Sequence, residues 1–285
     1  MSRVSYVNGR YVPHAGAYVH IDDRGYQFAD AVYEVIGVSG GFLIDEEAHL
    51  ARLFRSLGEI RIPRPFSAAV FRHLFRELVR RNRINEGMIY LQVSRGVAPR
   101  DHVFPKEGVK PSVVATARRL DRAALAHKAA EGISVISAPD NRWGRVDIKT
   151  TGLLPNLLAR QTAREQGAQE VWFVDREGFV TEGGATNAWI VDKDGTLITR
   201  PLGPDILGGV TRETLIRAAQ ACGVPLVERA FTLEEAKAAR EAFSSASTYI
   251  VMPVVAIDGQ VIGNGVPGSM AQRLREAFEA ATVLS

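Results

Sequence analysis

Two strand pairs closed by two-residue turns come before any helical pattern in this 285-residue chain, and they limit what it can fold into. Val4-Ser5-Tyr6-Val7 and Tyr11-Val12 flank Asn8-Gly9, residue types that accept the positive φ a tight hairpin demands. Val32 to Val38 and Phe42-Leu43-Ile44 are joined in the same way through Gly40-Gly41. Apolar residues then recur at helical spacing, first Leu50, Leu53, Phe54 and Leu57, then Val70, Leu74, Leu78 and Val79. Strand patterns return at Met88 to Ser94 and Ser112 to Ala117. The first half therefore mixes strands and helices without βαβ alternation, which predicts an α+β fold.

A charged, alanine-rich stretch follows and reads as a connection over residues 119–130. It separates a smaller N-terminal α/β domain, 1–118, from a larger C-terminal domain, 131–285. With 46% hydrophobic residues, the chain is long enough to give each its own core. The second domain is predicted to hold strands at 133–138, 171–174, 187–191, 225–229 and near 249–257. Helices are predicted at 154–166, 212–221, 233–239 and 269–281. The helix ending near Ala221 is stopped by Gly223 and Pro225.

Composition removes several function classes. No apolar run reaches about 18 residues, so no membrane span is expected. Met1-Ser2-Arg3-Val4 lacks the apolar core of a signal peptide, and a cytoplasmic protein is expected. The single cysteine, Cys222, makes neither an internal disulfide nor a Cys-based metal site and is expected to fill core space. A charge of +3 and a pI near 9.1 raise the question of nucleic acid. However, the arginines alternate with carboxylates, as in Arg76-Glu77 and Arg212-Glu213, with no aromatic interleaving, and nucleic-acid binding is not expected.

Only six of the 35 basic residues are lysines, and five of those lie in polar or turn-like stretches. Lys149, in Val146-Asp147-Ile148-Lys149-Thr150-Thr151-Gly152, is flanked by strand-like residues. An amine in a half-buried strand can form a Schiff base, and a carboxylate on a later turn, Glu182 in Thr181-Glu182-Gly183, can hold a pyridinium nitrogen. By itself, the same lysine is equally a strand residue whose stem packs while its ammonium reaches water. Gly208-Gly209-Val210-Thr211 opens a helix with Thr211 in the N-cap role, a common turn that also offers amides to an anion. Ser244-Ser245-Ala246-Ser247-Thr248 is either a second set of donors or a polar loop. Arg52 borders an apolar helix stripe, where it snorkels or meets a buried anion. Arg100 and His102 sit two apart in a Gly- and Pro-containing loop, which is either a solvated loop or a carboxylate clamp.

Taken in order, these segments resemble the fold type IV pyridoxal phosphate (PLP) enzymes, and more closely the D-amino-acid aminotransferases. The resemblance runs from Tyr6-Val7-Asn8-Gly9 to the final helix. It includes Asp23-Arg24-Gly25-Tyr26-Gln27-Phe28-Ala29-Asp30, Tyr33-Glu34, His49-Leu50-Ala51-Arg52-Leu53, Pro99-Arg100-Asp101-His102, Asp147-Ile148-Lys149, Thr186-Asn187 and Gly209-Val210-Thr211-Arg212. It implies a two-domain fold with a β-barrel-like core in the C-terminal domain. It further implies that Lys149 is the Schiff-base lysine and that Glu182 binds the pyridine nitrogen. Arg52, with the backbone of Val210 and Thr211, would hold the phosphate, with Ser247 and Thr248 near its remaining contacts. Tyr33, Arg100 and His102 would trap the substrate α-carboxylate, the latter two reaching over from the partner of a homodimer. The implied reaction moves an amino group between a D-amino acid and a 2-oxo acid. A branched-chain L-amino-acid or amine transaminase, or a PLP lyase, is the alternative on the same fold. Gly184, Ala185 and Ala246 stand where relatives often carry hydroxyls.

Overall fold

The computed structural model describes residues 3–106 and 108–285, so Met1 and Ser2 of the signal-peptide reading lie outside the described residues. The chain divides into two units. The first comprises Met1–Asp121, Ile148–Gly152 and Val283–Ser285, and the second Arg122–Asp147 and Leu153–Thr282.

The first unit contains β1 (Val4–Val7), β2 (Arg10–Pro13), α1 (Arg24–Phe28), β3 (Ala31–Ser39), β4 (Phe42–Leu43), α2 (Glu46–Glu59), α3 (Ala68–Asn82), β5 (Gly87–Ser94) and β6 (Ser112–Arg119). Its six strands form one antiparallel sheet in the order β2-β1-β6-β5-β3-β4. Asn8 and Gly9 take φ of 45° and 92°, both positive as the hairpin requires. Leu50, Leu53 and Leu57 of α2 and Phe71, Leu74, Phe75 and Leu78 of α3 pack with Ile36, Ile89, Leu91 and Val93 of the sheet. Each such buried side chain contributes roughly 1.5–3 kcal/mol relative to exposure.

The second unit contains α4 (Arg122–Glu131), β7 (Ile133–Pro139), α5 (Leu154–Glu165), β8 (Glu170–Val174), β9 (Val180–Gly183), β10 (Asn187–Val191), β11 (Leu197–Thr199), α6 (Val210–Ala221), β12 (Leu226–Glu228), α7 (Leu233–Lys237), β13 (Glu241–Ala246), β14 (Ile250–Ile257), β15 (Gln260–Val261) and α8 (Ser269–Ala281). The strands run β12-β11-β10-β13-β14-β7-β8-β9, with β15 beside β14. Pairing is parallel at β11/β12, β14/β7 and β7/β8, and antiparallel elsewhere. β9, at the end of this order, comes back against β10, so the sheet curls around Trp172, Val180, Ile190, Phe231, Met252 and Val254, the barrel-like core expected. Both buried indoles find acceptors, Trp172 Nε1 within this core donating to Ser244 Oγ, and Trp189 Nε1, whose ring stacks on Phe243 outside it, donating to Ser245 Oγ, each at 2.9 Å. Those two hydroxyls are therefore structural, so of the alternatives left open for the 244–248 cluster neither a polar loop nor a set of ligand donors describes Ser244 and Ser245.

The division departs from the sequence boundaries in three places. Most of the 119–130 connection is helix α4, which buries only Ala129 and so shows no apolar face to read. Ile148–Gly152 joins the first unit because it pairs with β3, with Tyr33 N donating to Lys149 O at 3.0 Å and Thr151 N to Ala31 O at 3.1 Å. Val283–Ser285 joins it through Leu43, whose N donates to Ser285 O at 2.8 Å and whose O accepts from Ser285 N at 3.0 Å. Cys222 is half-buried at the C-terminal end of α6 rather than in a core. Among the described residues no helix is long and apolar enough to cross a membrane.

Candidate active site

In the first unit, the segment 148–152, bridged to β3 through Thr150 and Val32, sets Lys149 beside that strand. Its backbone N donates to Ser56 Oγ of α2 at 3.4 Å, and its Nζ lies 4.2 Å from the centroid of the Tyr33 ring. Lys149 is half-buried as expected, but not on a strand: only Thr150 of this segment forms a bridge, to Val32, and Lys149 sits in irregular backbone beside it. Tyr33 stacks on Tyr90, ring centroids 5.7 Å apart. Burial and then the neighbouring Tyr33 push the Tyr90 phenol up to about 12, so Tyr90 stays protonated and donates to Gln92 Oε1 at 2.8 Å.

Successive turns of α2 present His49, Arg52 and Ser56 on one side, spaced so that they share a helix face. There Glu34 of β3, 1% exposed, accepts from Arg52 Nε at 2.9 Å and Nη2 at 2.7 Å, and its Oε2 lies 2.8 Å from His49 Nδ1. Burial opposes its charge, yet Arg52 and His49 hold its pKa down at about 2. His49 shifts downward because burial outweighs the pull of Glu34. Arg52 thus meets a buried anion supplied by the protein itself. Sequence reasoning leaves that choice open, because Glu34 reads as one more strand residue until β3 is laid beside α2.

Arg100 and His102 are both exposed and both lie against Phe28, at 5.0 Å from Arg100 Cζ to the ring centroid and 5.6 Å between His102 and Phe28 rings. Their loop has little regular structure, but its base is fixed. Arg24 Nη1 donates to Asp101 O at 2.6 Å and its Nε to Asp30 at 2.8 Å, while Arg95 Nε donates to the same Asp30 oxygen at 2.7 Å. The ring of Phe28 brings the two candidate residues together without a direct bond between them.

In the second unit, Glu182 on β9 is buried and held on both oxygens. Oε2 accepts from Leu207 N at 3.0 Å and Asn187 Nδ2 at 3.1 Å, and Oε1 pairs with Arg142. Asn187 Nδ2 also donates to Leu207 O at 2.9 Å. Arg142, just beyond β7, carries no periodic signal in the sequence, and only the β7-β8-β9 pairing brings it to Glu182.

α6 begins at Val210 with Gly209 as its N-cap, which corrects the reading of Thr211 as the cap. Thr211 is the second helical residue, and its hydroxyl lies 3.4 Å from Ser247 Oγ, in the turn 247–249 that also holds Thr248. The amides of Val210, Thr211 and Arg212 have no carbonyl one turn earlier to donate to, so they face outward with the positive end of the helix dipole. The N-cap has to be glycine because a Cβ there would collide with Asn187 Oδ1. Gly184 has a similar cause: a Cβ would meet Arg160 Cγ at 2.7 Å and Glu170 Oε1 at 2.8 Å, so packing occupies the space a hydroxyl would need.

Comparison with known proteins bears on this arrangement. The chain is 39% identical over 272 residues to a D-alanine aminotransferase of Bacillus licheniformis, covering 95% of this chain and 94% of that one. Its fold matches the T.th. branched-chain amino acid aminotransferase solved with pyridoxamine 5'-phosphate, TM-score 0.90 at 26% identity, over 99% of this chain and 94% of that one. It also matches the branched-chain aminotransferase of Thermoproteus uzoniensis solved with norvaline, TM-score 0.87 at 28% identity, over 100% of this chain and 99% of that one. The family model described as amino-transferase class IV matches residues 31–257. That span starts on the strand that pairs with Lys149 and ends with β14, taking in Arg52, Glu182 and the start of α6 on the way, and the chain belongs to the class IV aminotransferases.

Proposed function

We propose that this chain exchanges an amino group between a D-amino acid such as D-alanine and a 2-oxo acid such as 2-oxoglutarate, with PLP as cofactor. The observation that carries the substrate class is the 39% identity to a D-alanine aminotransferase over nearly the full length of both chains. The donor set suits PLP. One unit offers an amine on a segment fixed by backbone hydrogen bonds to β3. The other offers a buried carboxylate, and a helix start with two neighbouring hydroxyls that suits a phosphate.

When bound, PLP supplies an aldehyde carbon for an amine and a ring that draws electrons from the substrate α-carbon. In this reading Lys149 Nζ would hold the cofactor and, once the substrate amine has displaced it, would take the substrate α-proton as general base and deliver it as general acid to the carbon that had carried the aldehyde. Glu182, fixed by Asn187 and the Leu207 amide, would hold the proton on the ring nitrogen. Arg52, the amides of Val210 and Thr211, and the hydroxyls of Ser247 and Thr248 bind phosphate. Arg100, His102 and Tyr33 fix the α-carboxylate and so decide which enantiomer turns its α-hydrogen toward Lys149.

Spectral titration without acceptor tests this reading. D-alanine should convert the visible band of the bound cofactor to that of its amine form, whereas L-leucine should leave it unchanged. Arg100→Ala should raise KM for D-alanine and the 2-oxo acid by on the order of tenfold to a hundredfold, the loss of one charge-assisted contact. Conversion by L-leucine alone would move the chain to the branched-chain reading, which the solved structures favour by fold.

A homodimer is part of the proposal. Leu154, Leu157 and Leu158 of α5 are 66%, 61% and 61% exposed, an i, i+3, i+4 stripe that single stray leucines do not make. In the other unit Tyr18, Ile21, Tyr26 and Val103, close in sequence to the Arg100 loop or to Phe28, are exposed as well. Leu157→Glu combined with Leu158→Glu is expected to shift the protein from dimer to monomer in light scattering and to lower activity with it. A dimer of unchanged stability would show that this stripe is not the interface.

A further inference from the structure

Arg142 is 5% exposed and lies between two carboxylates. Its Nε donates to Asp140 Oδ1 at 2.9 Å and its Nη2 to Asp140 Oδ2 at 2.7 Å, a two-pronged pair. On its far side Nη1 pairs with Glu182 Oε1. Nη2 also reaches Asp205 O at 3.2 Å and Thr181 Oγ1 at 3.3 Å, and the guanidinium carbon lies 4.7 Å from the Phe173 ring centroid. Asp140 is anchored in turn, accepting from Thr181 Oγ1 at 2.7 Å, while its N donates to Val174 O at 2.8 Å. Burial works against the charge on Arg142, yet Asp140 and Glu182 keep its pKa above the usual value.

This geometry goes beyond a salt bridge that stabilises the fold. A flexible carboxylate at the end of a glutamate side chain would lose rotamer freedom on meeting a ligand. Here that freedom is removed beforehand, with Oε2 fixed by Asn187 and the Leu207 amide and Oε1 by a cation that cannot swing, because Asp140 grips it from behind. The trio of one guanidinium and two carboxylates keeps a net negative charge, which complements a single protonated nitrogen.

We propose that Arg142, locked by Asp140, is the positioning residue for Glu182, and that through it the pair sets cofactor affinity. The inference rests on Glu182 being the partner of the PLP ring nitrogen. It requires no contact between Arg142 and cofactor or substrate.

The test compares wild type, Arg142→Met, Arg142→Lys and Asp140→Asn, each stripped of cofactor and titrated with PLP by quenching of tryptophan fluorescence. PLP binding by the wild type decides the underlying reading, and its absence would overturn both. With the wild type binding, Arg142→Met is expected to weaken PLP affinity by on the order of tenfold to a hundredfold, because a buried carboxylate loses its counter-ion. Asp140→Asn, which keeps size and shape, should weaken it by a smaller factor, and Arg142→Lys should recover part of the loss as a point charge without the fork. The saturated Arg142→Met enzyme should show lowered kcat, unchanged KM for D-alanine and a displaced visible maximum of the bound cofactor. If Arg142→Met does not fold, Asp140→Asn carries the decision. Wild-type PLP affinity and an unshifted spectrum in whichever of these two variants folds would overturn the proposal.

Discussion

Lys149→Ala is expected to lower turnover of D-alanine by at least about 10⁴-fold, because the proposed function uses one side chain as both the attaching amine and the proton carrier. The same change should hardly touch stability. Lys149 is half-buried, and its ammonium packs on the face of Tyr33 at 4.2 Å, a cation–π contact of about 0.5–1 kcal/mol. The segment that carries it is held by its backbone, through Tyr33 N to Lys149 O and Thr151 N to Ala31 O, and alanine preserves both bonds. Borohydride reduction followed by peptide mass analysis should place the cofactor mass on the Lys149 peptide of the wild type and nowhere in the variant. A variant with wild-type turnover would refute the assignment, and a variant that unfolds would mean that the side chain is structural.

Glu34→Gln is expected to produce the opposite profile, a large loss of stability. It leaves the Arg52 guanidinium without its buried counter-ion and sets an amide against donors, a defect of about 3–5 kcal/mol. The wild type should show the same interaction as acid sensitivity. The folded Glu34 carboxyl titrates at about 2 against 4.5 for the free group, so it binds its proton less readily when folded. Its contribution, about 3 kcal/mol on that difference, is therefore complete above 4.5 and fades as pH falls toward 2. His49 is lowered as well, so protonating it also favours the unfolded chain as the medium is acidified. Urea unfolding followed across that range should give a steep acid limb in the wild type and a shallower one in Glu34→Gln. Parallel curves would show that the buried pair is not the origin of the sensitivity.

Elements with strong local signals are legible in the sequence. The Asn8-Gly9 and Gly40-Gly41 turns, the stripes of α2 and α3, β10 at 187–191 and α8 at 269–281 follow from patterns contained within each segment. α4 stays hidden because a helix with a single buried residue has no apolar face to repeat. β9, β11 and β15 are too short to show alternation. The candidate site follows the same rule. Lys149 stands out as a cation among strand residues. Glu34 and His49 lie 15 positions apart, and the Arg142–Asp140 pair, though close in sequence, meets Glu182 and Thr181 only 40 and 41 positions on; strand pairing or helix packing supplies that information. Ser244 and Ser245 show the converse case, a cluster of hydroxyls that looks like a ligand site but completes two tryptophans.

The detour of the chain at 148–152 also governs the order in which the protein can be made. The sheet of the first unit is encoded before residue 122, yet the lysine that lies beside its strand β3 arrives only after Arg122–Asp147 has been synthesised as part of the other unit. A fragment ending at Asp121 would hold Tyr33, Glu34, His49 and Arg52 without the amine. A ribosome therefore releases Glu34 and Arg52 of the first unit ahead of the lysine proposed to hold the cofactor, and cutting the gene after Asp121 leaves residues 148–152 off the unit they belong to.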